Sequence, residues 1–248
     1  MKERQKPKLA ASIILLRPAK GNSFEVFLTR RPDEMPFLGG MYCFPGGALR
    51  EEDHTAVMLR LCHGLAPPAA RKVVGAQFSP PLALGLWIAG IRELFEETGV
   101  LLAVNDCGEP WAGQRERPSA ARRKALPKQQ VSFQSLLETE GLLCDASRLA
   151  YFSRWQTPEE ISLRFDTYFF LATLPGNQIP LSTSPEVAHS VWLTPDQALE
   201  RFAEDKLPMI FPTFASLRTL ADFETLDSVG KKYAPDASER PRNSASEL

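Results

Sequence analysis

Apolar positions along the chain follow two periods, and each predicts its own kind of element. Leu9-Ala10-Ala11-Ser12-Ile13-Ile14-Leu15-Leu16 is a nearly unbroken apolar run, which predicts a strand over 8–16 buried on both faces. Lys20-Gly21-Asn22-Ser23 is turn chemistry, and Phe24 to Thr29 returns as a second strand. Pro32 to Gly40 reads as a loop, and Met41 to Phe44 as a short strand ending in Pro45-Gly46-Gly47. The spacing then changes to that of a helix. Leu84, Trp87, Ile88, Ile91, Leu94 and Phe95 fall on one stripe, so a helix is expected from Leu82 to Gly99, where glycine suits the left-handed C-cap. Ahead of it, residues 54–81 hold a short helix, Ala56 to Cys62, and a proline-containing linker ending at Pro80-Pro81.

Beyond the helix, Val100 to Val104 reads as a strand, and 106–130 as a charged, proline-punctuated loop with a short basic helix at Ala120 to Ala125. Ser132 to Glu140 is expected to be helical, Arg164 to Ala172 a strand, and Ser190 to Leu193 a short strand. Thr194-Pro195 opens a helix with Thr as N-cap, and Thr213 after Pro212 caps another that runs to Phe223. Residues 231–248 are polar and read as a disordered tail. There is no internal repeat. Strands interleaved with helices predict an α/β sandwich, with one domain over 8–223.

Composition narrows the function classes. A chain of 248 residues, 44% of them hydrophobic, can bury a full core. A formal net charge of −1 gives no field to attract nucleic acid or anionic lipid, so neither is expected as a partner. No apolar run approaches the ~20 residues of a membrane span, and the charged start Met1-Lys2-Glu3-Arg4-Gln5-Lys6 is unlike a signal peptide. Cys43, Cys62, Cys107 and Cys144 form no CxxC pair, which favours reduced thiols and a cytoplasmic setting. The terminal Ser246-Glu247-Leu248 is not a basic peroxisomal tripeptide. Oligomeric state stays open.

The strongest chemical signal lies on the other stripe of the predicted helix. Glu93, Glu96 and Glu97, at i, i+3 and i+4, span only about 100° of arc. Three like charges there repel, and a hard divalent cation such as Mg²⁺ or Mn²⁺ relieves that repulsion through the same oxygens. Leu82, Leu86 and Ala89 continue this face upstream as an apolar surface, which needs a cover from the inserted segment or from an apolar part of a substrate.

Together with Phe44-Pro45-Gly46-Gly47, the stretch Arg92-Glu93-Leu94-Phe95-Glu96-Glu97-Thr98-Gly99-Val100 resembles the signature of the Nudix hydrolases. That box reads Gly, five residues, Glu, seven residues, then Arg-Glu-apolar-x-Glu-Glu-x-Gly-apolar. Its second half matches throughout. In the first half Asp53 stands for Glu, and 38 residues rather than seven separate it from Arg92. A box so interrupted is similar to one subgroup, the peroxisomal coenzyme A diphosphatases of animals and their bacterial relatives. Leu28-Thr29-Arg30-Arg31, Trp155-Gln156-Thr157-Pro158, Arg164-Phe165-Asp166-Thr167 and Trp192-Leu193-Thr194-Pro195 resemble that subgroup too.

The resemblance implies a Nudix α/β/α sandwich with a mixed sheet and a helical insertion (54–81) within the catalytic motif. It implies hydrolysis of a diphosphate linkage in a small nucleotide derivative with Mg²⁺ or Mn²⁺, coenzyme A or acyl-CoA first. ADP-ribose or a dinucleotide is an alternative, as is a non-catalytic nucleotide-binding module. Glu96 and Glu97 would be the principal metal ligands, with Glu93 as ligand or base and Gly46 offering its carbonyl. Arg92 would orient Glu93. Gly46 and Gly47 would let backbone approach metal and phosphate. Asp53 is an outer ligand or a salt-bridge partner. Glu186, in the loop before Trp192, is a candidate base or further ligand. Arg30, Arg31 and Arg164 are candidate phosphate clamps, each against a plain structural alternative: surface charge for the first two, an ion pair with Asp166 for the third.

Overall fold

The computed structural model describes residues 6–111 and 132–234. The apolar run becomes β1 (Lys8–Pro18), the central strand of a seven-stranded mixed sheet. β2 (Phe24–Arg30) pairs antiparallel with the far half of β1, and β4 (Gly46–Ala48) with its near half. β3 (Tyr42–Cys43) adds to β2. On the other side of β1 lies β9 (Phe165–Thr173), parallel to it, followed by β8 (Ala150–Gln156) as an edge. β10 (His189–Leu193) closes the opposite edge on β2. A second, three-stranded sheet runs β5 (Cys62–His63), β7 (Leu142–Asp145), β6 (Ala103–Asn105).

Because β1 is apolar on both faces, it feeds two cores. One holds Ala11, Ile13 and Leu15 against the long helix α3 (Pro80–Thr98). The other sets Ile14 and Leu16 against Ala198 of α5 (Pro195–Ala203), Leu217 and Leu220 of α6 (Phe211–Leu220), and Val229 of α7 (Leu226–Tyr233). The result is an α/β/α sandwich with a mixed sheet, the expected class.

Helix α3 starts two residues earlier than expected. Ser79 Oγ accepts from the Leu82 N–H, which puts Pro80 and Pro81 in the first turn rather than in the linker. Its end falls as expected: Gly99 is left-handed, with φ of 74°, and its N–H caps the Phe95 carbonyl. The inserted segment is not a linker. It forms α1 (Ala56–Arg60), β5 and α2 (Pro67–Val74), and it places Met58, Ala70 and Val74 in one core with Leu86 and Ala89. The apolar continuation of the carboxylate face is thus covered by the chain itself.

Several other expectations need correction. Strand β6 starts at Ala103, not Val100, and β7 and β8 were not foreseen. Thr213 does not cap α6; Ile210 does, with Pro212 in the first turn, and the helix ends at Leu220. Lys231 to Tyr233 form the last turn of α7 rather than the start of a tail. α4 (Phe133–Glu140) agrees with its predicted helix. The expected basic helix at 120–125, with Arg115, Arg117, Arg122, Arg123 and Lys124, lies outside the described residues, as does the tail from 235. Cys62 and Cys144, distant in sequence, are register partners across β5 and β7, and all four cysteines are free thiols. Among the described residues no helix is long and apolar enough to cross a membrane.

Candidate active site

The site forms where the second half of α3 meets the glycine strand β4. Arg92 is buried and fully engaged: Nε and Nη2 donate to Asp53 Oδ1 and Oδ2 at 2.7 and 2.8 Å, and Nη2 also donates to the Ala48 carbonyl at 3.0 Å. Its Nη1 donates to Glu93 Oε1 at 2.5 Å and reaches Glu96 Oε2 at 3.4 Å. Burial works against the guanidinium charge, but the bonds to Asp53 and the charges of Glu93, Asp53 and Glu96 prevail and make it harder to deprotonate than an ordinary arginine. Asp53 reaches this position on a short 3-10 turn, Glu51–His54, where its Oδ2 also accepts the Arg50 backbone N–H at 2.8 Å. It is therefore a salt-bridge partner, the second of its two expected roles.

Arg50 was not anticipated. Its guanidinium binds Glu96 in bidentate fashion, Nη1 to Oε1 and Nη2 to Oε2, both at 3.0 Å, and lies 3.7 Å from Glu93 Oε1. No local pattern points to it, because the contact closes over 46 positions.

Glu97 takes a different environment. It is buried and accepts a hydrogen bond from the Gly46 backbone N–H. Burial first, then the charges of Glu93 and Glu186, push its carboxyl well above the usual carboxylate range, while Arg31 and the Gly46 N–H oppose the rise. Burial also raises Glu93, with Arg92 opposing and Glu96 adding. The same surroundings push the Cys43 thiol up to about 11, through burial and then the Glu97 charge.

Glu186 reaches Glu97 because its loop is fastened to the helix end. The Leu181 N–H donates to the Thr98 carbonyl at 2.8 Å, and the Gln178 side chain exchanges two 2.8 Å hydrogen bonds with the Leu101 backbone. A tight turn between Ser184 and Val187 then exposes Glu186.

The three candidate clamps separate. Arg31 Nε donates to the Phe37 carbonyl at 3.1 Å, and its charge opposes the rise at Glu97, which sets it on the side of the carboxylate cluster. Arg30 turns to Asp33 at 2.6 Å. Arg164 Nε donates to the Thr157 carbonyl at 3.2 Å, and its expected partner Asp166 instead makes a bidentate pair with Arg154, both contacts at 2.7 Å. Among the described residues Arg164 makes no hydrogen bond or ion pair to the carboxylate cluster.

The glycines also have packing roles that the sequence does not show. A Cβ on Gly46 would meet the β1 backbone, 2.5 Å from the Ala11 carbonyl oxygen, so this residue lets β4 lie against β1. A Cβ on Gly47 would stand 2.6 Å from Glu93 Cδ, so this residue makes room for the carboxylate. That neighbour is the end of a flexible side chain, and it can move at little cost to folding. Gly47→Ala should therefore melt near the parent temperature yet lose activity by about 100-fold, the scale for a displacement of about 1 Å at a catalytic group. A variant with parental kcat/KM would show that Glu93 does not need this position.

The residues fit a hard divalent cation in donor type: clustered carboxylate oxygens, one pair of which already clasps a guanidinium. As placed, no three His, Cys, Asp or Glu side chains among the described residues are gathered tightly enough to hold an ion. Arginines occupy Glu93 and Glu96, and Glu97 faces Gly46.

A sandwich of this topology carrying an acid-lined helix against a glycine strand is the architecture of a Nudix hydrolase. Residues 6–220 match the family model described as the NUDT19 Nudix domain, and the chain belongs to that Nudix family. It is 28% identical to the acyl-coenzyme A diphosphatase NUDT19 of Gallus gallus over 90% of this chain and 70% of that protein. It is 27% identical to the Homo sapiens protein of the same name, over 87% of this chain and 65% of that one. The chain thus spans about two thirds of the length of these relatives. A crystal structure of a NUDIX hydrolase from Alicyclobacillus acidocaldarius superposes with a TM-score of 0.79 at 26% identity, covering 92% of this chain and 97% of that one.

Proposed function

We propose that the protein is a metal-dependent diphosphatase that cleaves the diphosphate linkage of coenzyme A or an acyl-CoA. The observation that carries this reading is the cluster Glu93, Glu96 and Glu97, set against Gly46 and Gly47 and organised by the buried Arg92–Asp53 pair. Retention of all three carboxylates favours an enzyme over a nucleotide-binding module. The names of the acyl-coenzyme A diphosphatase relatives support the substrate.

In this reading Glu93, Glu96 and Glu97, with the Gly46 carbonyl, would hold Mg²⁺ or Mn²⁺, which when bound would supply a lowered water pKa and charge neutralisation of the diphosphate. Arg92 keeps Glu93 aimed, since its guanidinium is locked by Asp53 before any ligand arrives. Arg31, fixed by the Phe37 carbonyl, clamps a phosphate beside Glu97. Glu97 and Glu93, both raised mainly by burial, are the candidate bases for the attacking water, and Glu186 adds a third carboxylate at the rim.

The test is a panel of coenzyme A, an acyl-CoA, ADP-ribose and a dinucleotide, each with Mg²⁺ or Mn²⁺, with products resolved by mass. Coenzyme A should yield adenosine 3′,5′-bisphosphate and 4′-phosphopantetheine. Preferred cleavage of ADP-ribose or the dinucleotide would replace the substrate assignment, and no cleavage of any member would remove the enzymatic reading.

A further inference from the structure

Two arginines serve the carboxylate cluster, and they are bound in different ways. Arg92 is buried, with 3% of its side chain exposed, and its contacts with Asp53 and the Ala48 carbonyl lie away from the acids it would help. It is therefore fixed in the interior. Arg50 keeps 44% of its side chain exposed, and among the described residues its guanidinium pairs with Glu96 and, at 3.7 Å, Glu93. Its backbone stays anchored, because the Arg50 N–H is held by Asp53. The side chain can therefore leave while its root stays in place.

Its position is also the one a cation would take. A bidentate guanidinium is the organic counterpart of a hard cation on a carboxylate, matching both oxygens at once. Among the described residues Glu96 has, besides Arg50, the 3.4 Å approach of Arg92, too long for a strong bond.

Building on the metal-dependent reading above, we infer that Arg50 is a displaceable counter-cation of Glu96 and Glu93: it holds the site in the absence of metal and must withdraw when the divalent ion binds. Metal affinity then contains the cost of breaking the Arg50–Glu96 pair. The freed guanidinium stays at the rim on its anchored backbone, beside an anionic substrate. Arg50 is a positioning residue, setting how readily the site loads.

Isothermal titration of the metal-free, substrate-free protein with Mn²⁺ tests this. Arg50→Gln should bind Mn²⁺ about three- to ten-fold more tightly than the parent, the range for a part-exposed bidentate pair that no longer has to break. Without metal it should melt at a lower temperature than the parent, since Glu93 and Glu96 lose their counter-charge. Its Mn²⁺-induced rise in melting temperature should be larger. Arg50→Lys, which keeps the charge but not the two-point grip, should fall between the two. A structural role alone would weaken binding or leave it alone. Equal or weaker affinity in Arg50→Gln, with the parent binding normally, would overturn the exchange and leave the metal reading intact. A parent that binds no Mn²⁺ would overturn both.

Discussion

Glu97→Gln is expected to lower kcat by about 10²–10⁴-fold, the range for losing a group that transfers a proton or holds the metal in the transition state. Fold and compactness should be retained. Gln keeps the shape of the side chain and can still accept the Gly46 N–H, and it removes a charge that burial, Glu93 and Glu186 all disfavour. The same shift has a signed effect on stability. The folded-state pKa of Glu97 lies above its unfolded value, so ionising it opposes folding. That penalty is present above the folded pKa and is relieved as pH falls through it towards the unfolded pKa. The metal-free parent should therefore melt higher on mild acidification from neutral pH, and Glu97→Gln should show a smaller rise, the part that Glu93 contributes. Saturating Mg²⁺ should remove the rise from the parent, because bound metal keeps Glu97 ionised. Parental turnover in Glu97→Gln would end its assignment to the site.

How far such a site can be read from sequence depends on whether its partners are local. Glu93, Glu96 and Glu97 share a helix, and the helix showed through its period and its terminal Gly99. Asp53 was legible only in part: its place, with five residues between it and Gly47, showed, but its choice between the two expected roles is made by the turn at 51–54, which delivers the shorter side chain to Arg92. Arg50 was not, because only the return of α3 brings Glu96 to it. The same holds for Asp166. Its partner is set by strand register, which puts Arg154 of β8 opposite Tyr168 of β9 and diagonal to Asp166, not by nearness in sequence to Arg164.

The missed elements have physical reasons as well. Helix α2 buries only Ala70 and Val74, too few positions for a periodic signal, and Pro67 and Pro68 act as first-turn residues rather than breakers. Strand β8 is an edge with no fully buried residue, and the irregularity between Tyr151 and Ser153 breaks its alternation. In each case tertiary packing, not propensity, makes the element.

The largest effect on stability should come from Asp53→Ala. Arg92 and Asp53 are buried to 2% exposure each, and the pair is bidentate. Removing one partner leaves an uncompensated charge in the interior, a loss of about 3–5 kcal/mol. For a chain of this size that lowers the melting temperature by roughly 6–20 °C. Contacts of Arg92 with the Ala48 carbonyl and Glu93 remain, so the lower part of the range is expected. Activity should fall in parallel, because Arg92 then has no fixed base from which to aim Glu93. A double variant, Asp53→Ala with Arg92→Met, separates the two consequences: it removes the stranded charge and should recover part of the lost stability, yet it cannot restore the hold on Glu93 and should stay inactive. Thermal melts and kcat/KM on the same three proteins decide the matter. If Asp53→Ala melts within about 2 °C of the parent, a shift worth less than 1 kcal/mol, the pair is not the internal brace its burial implies.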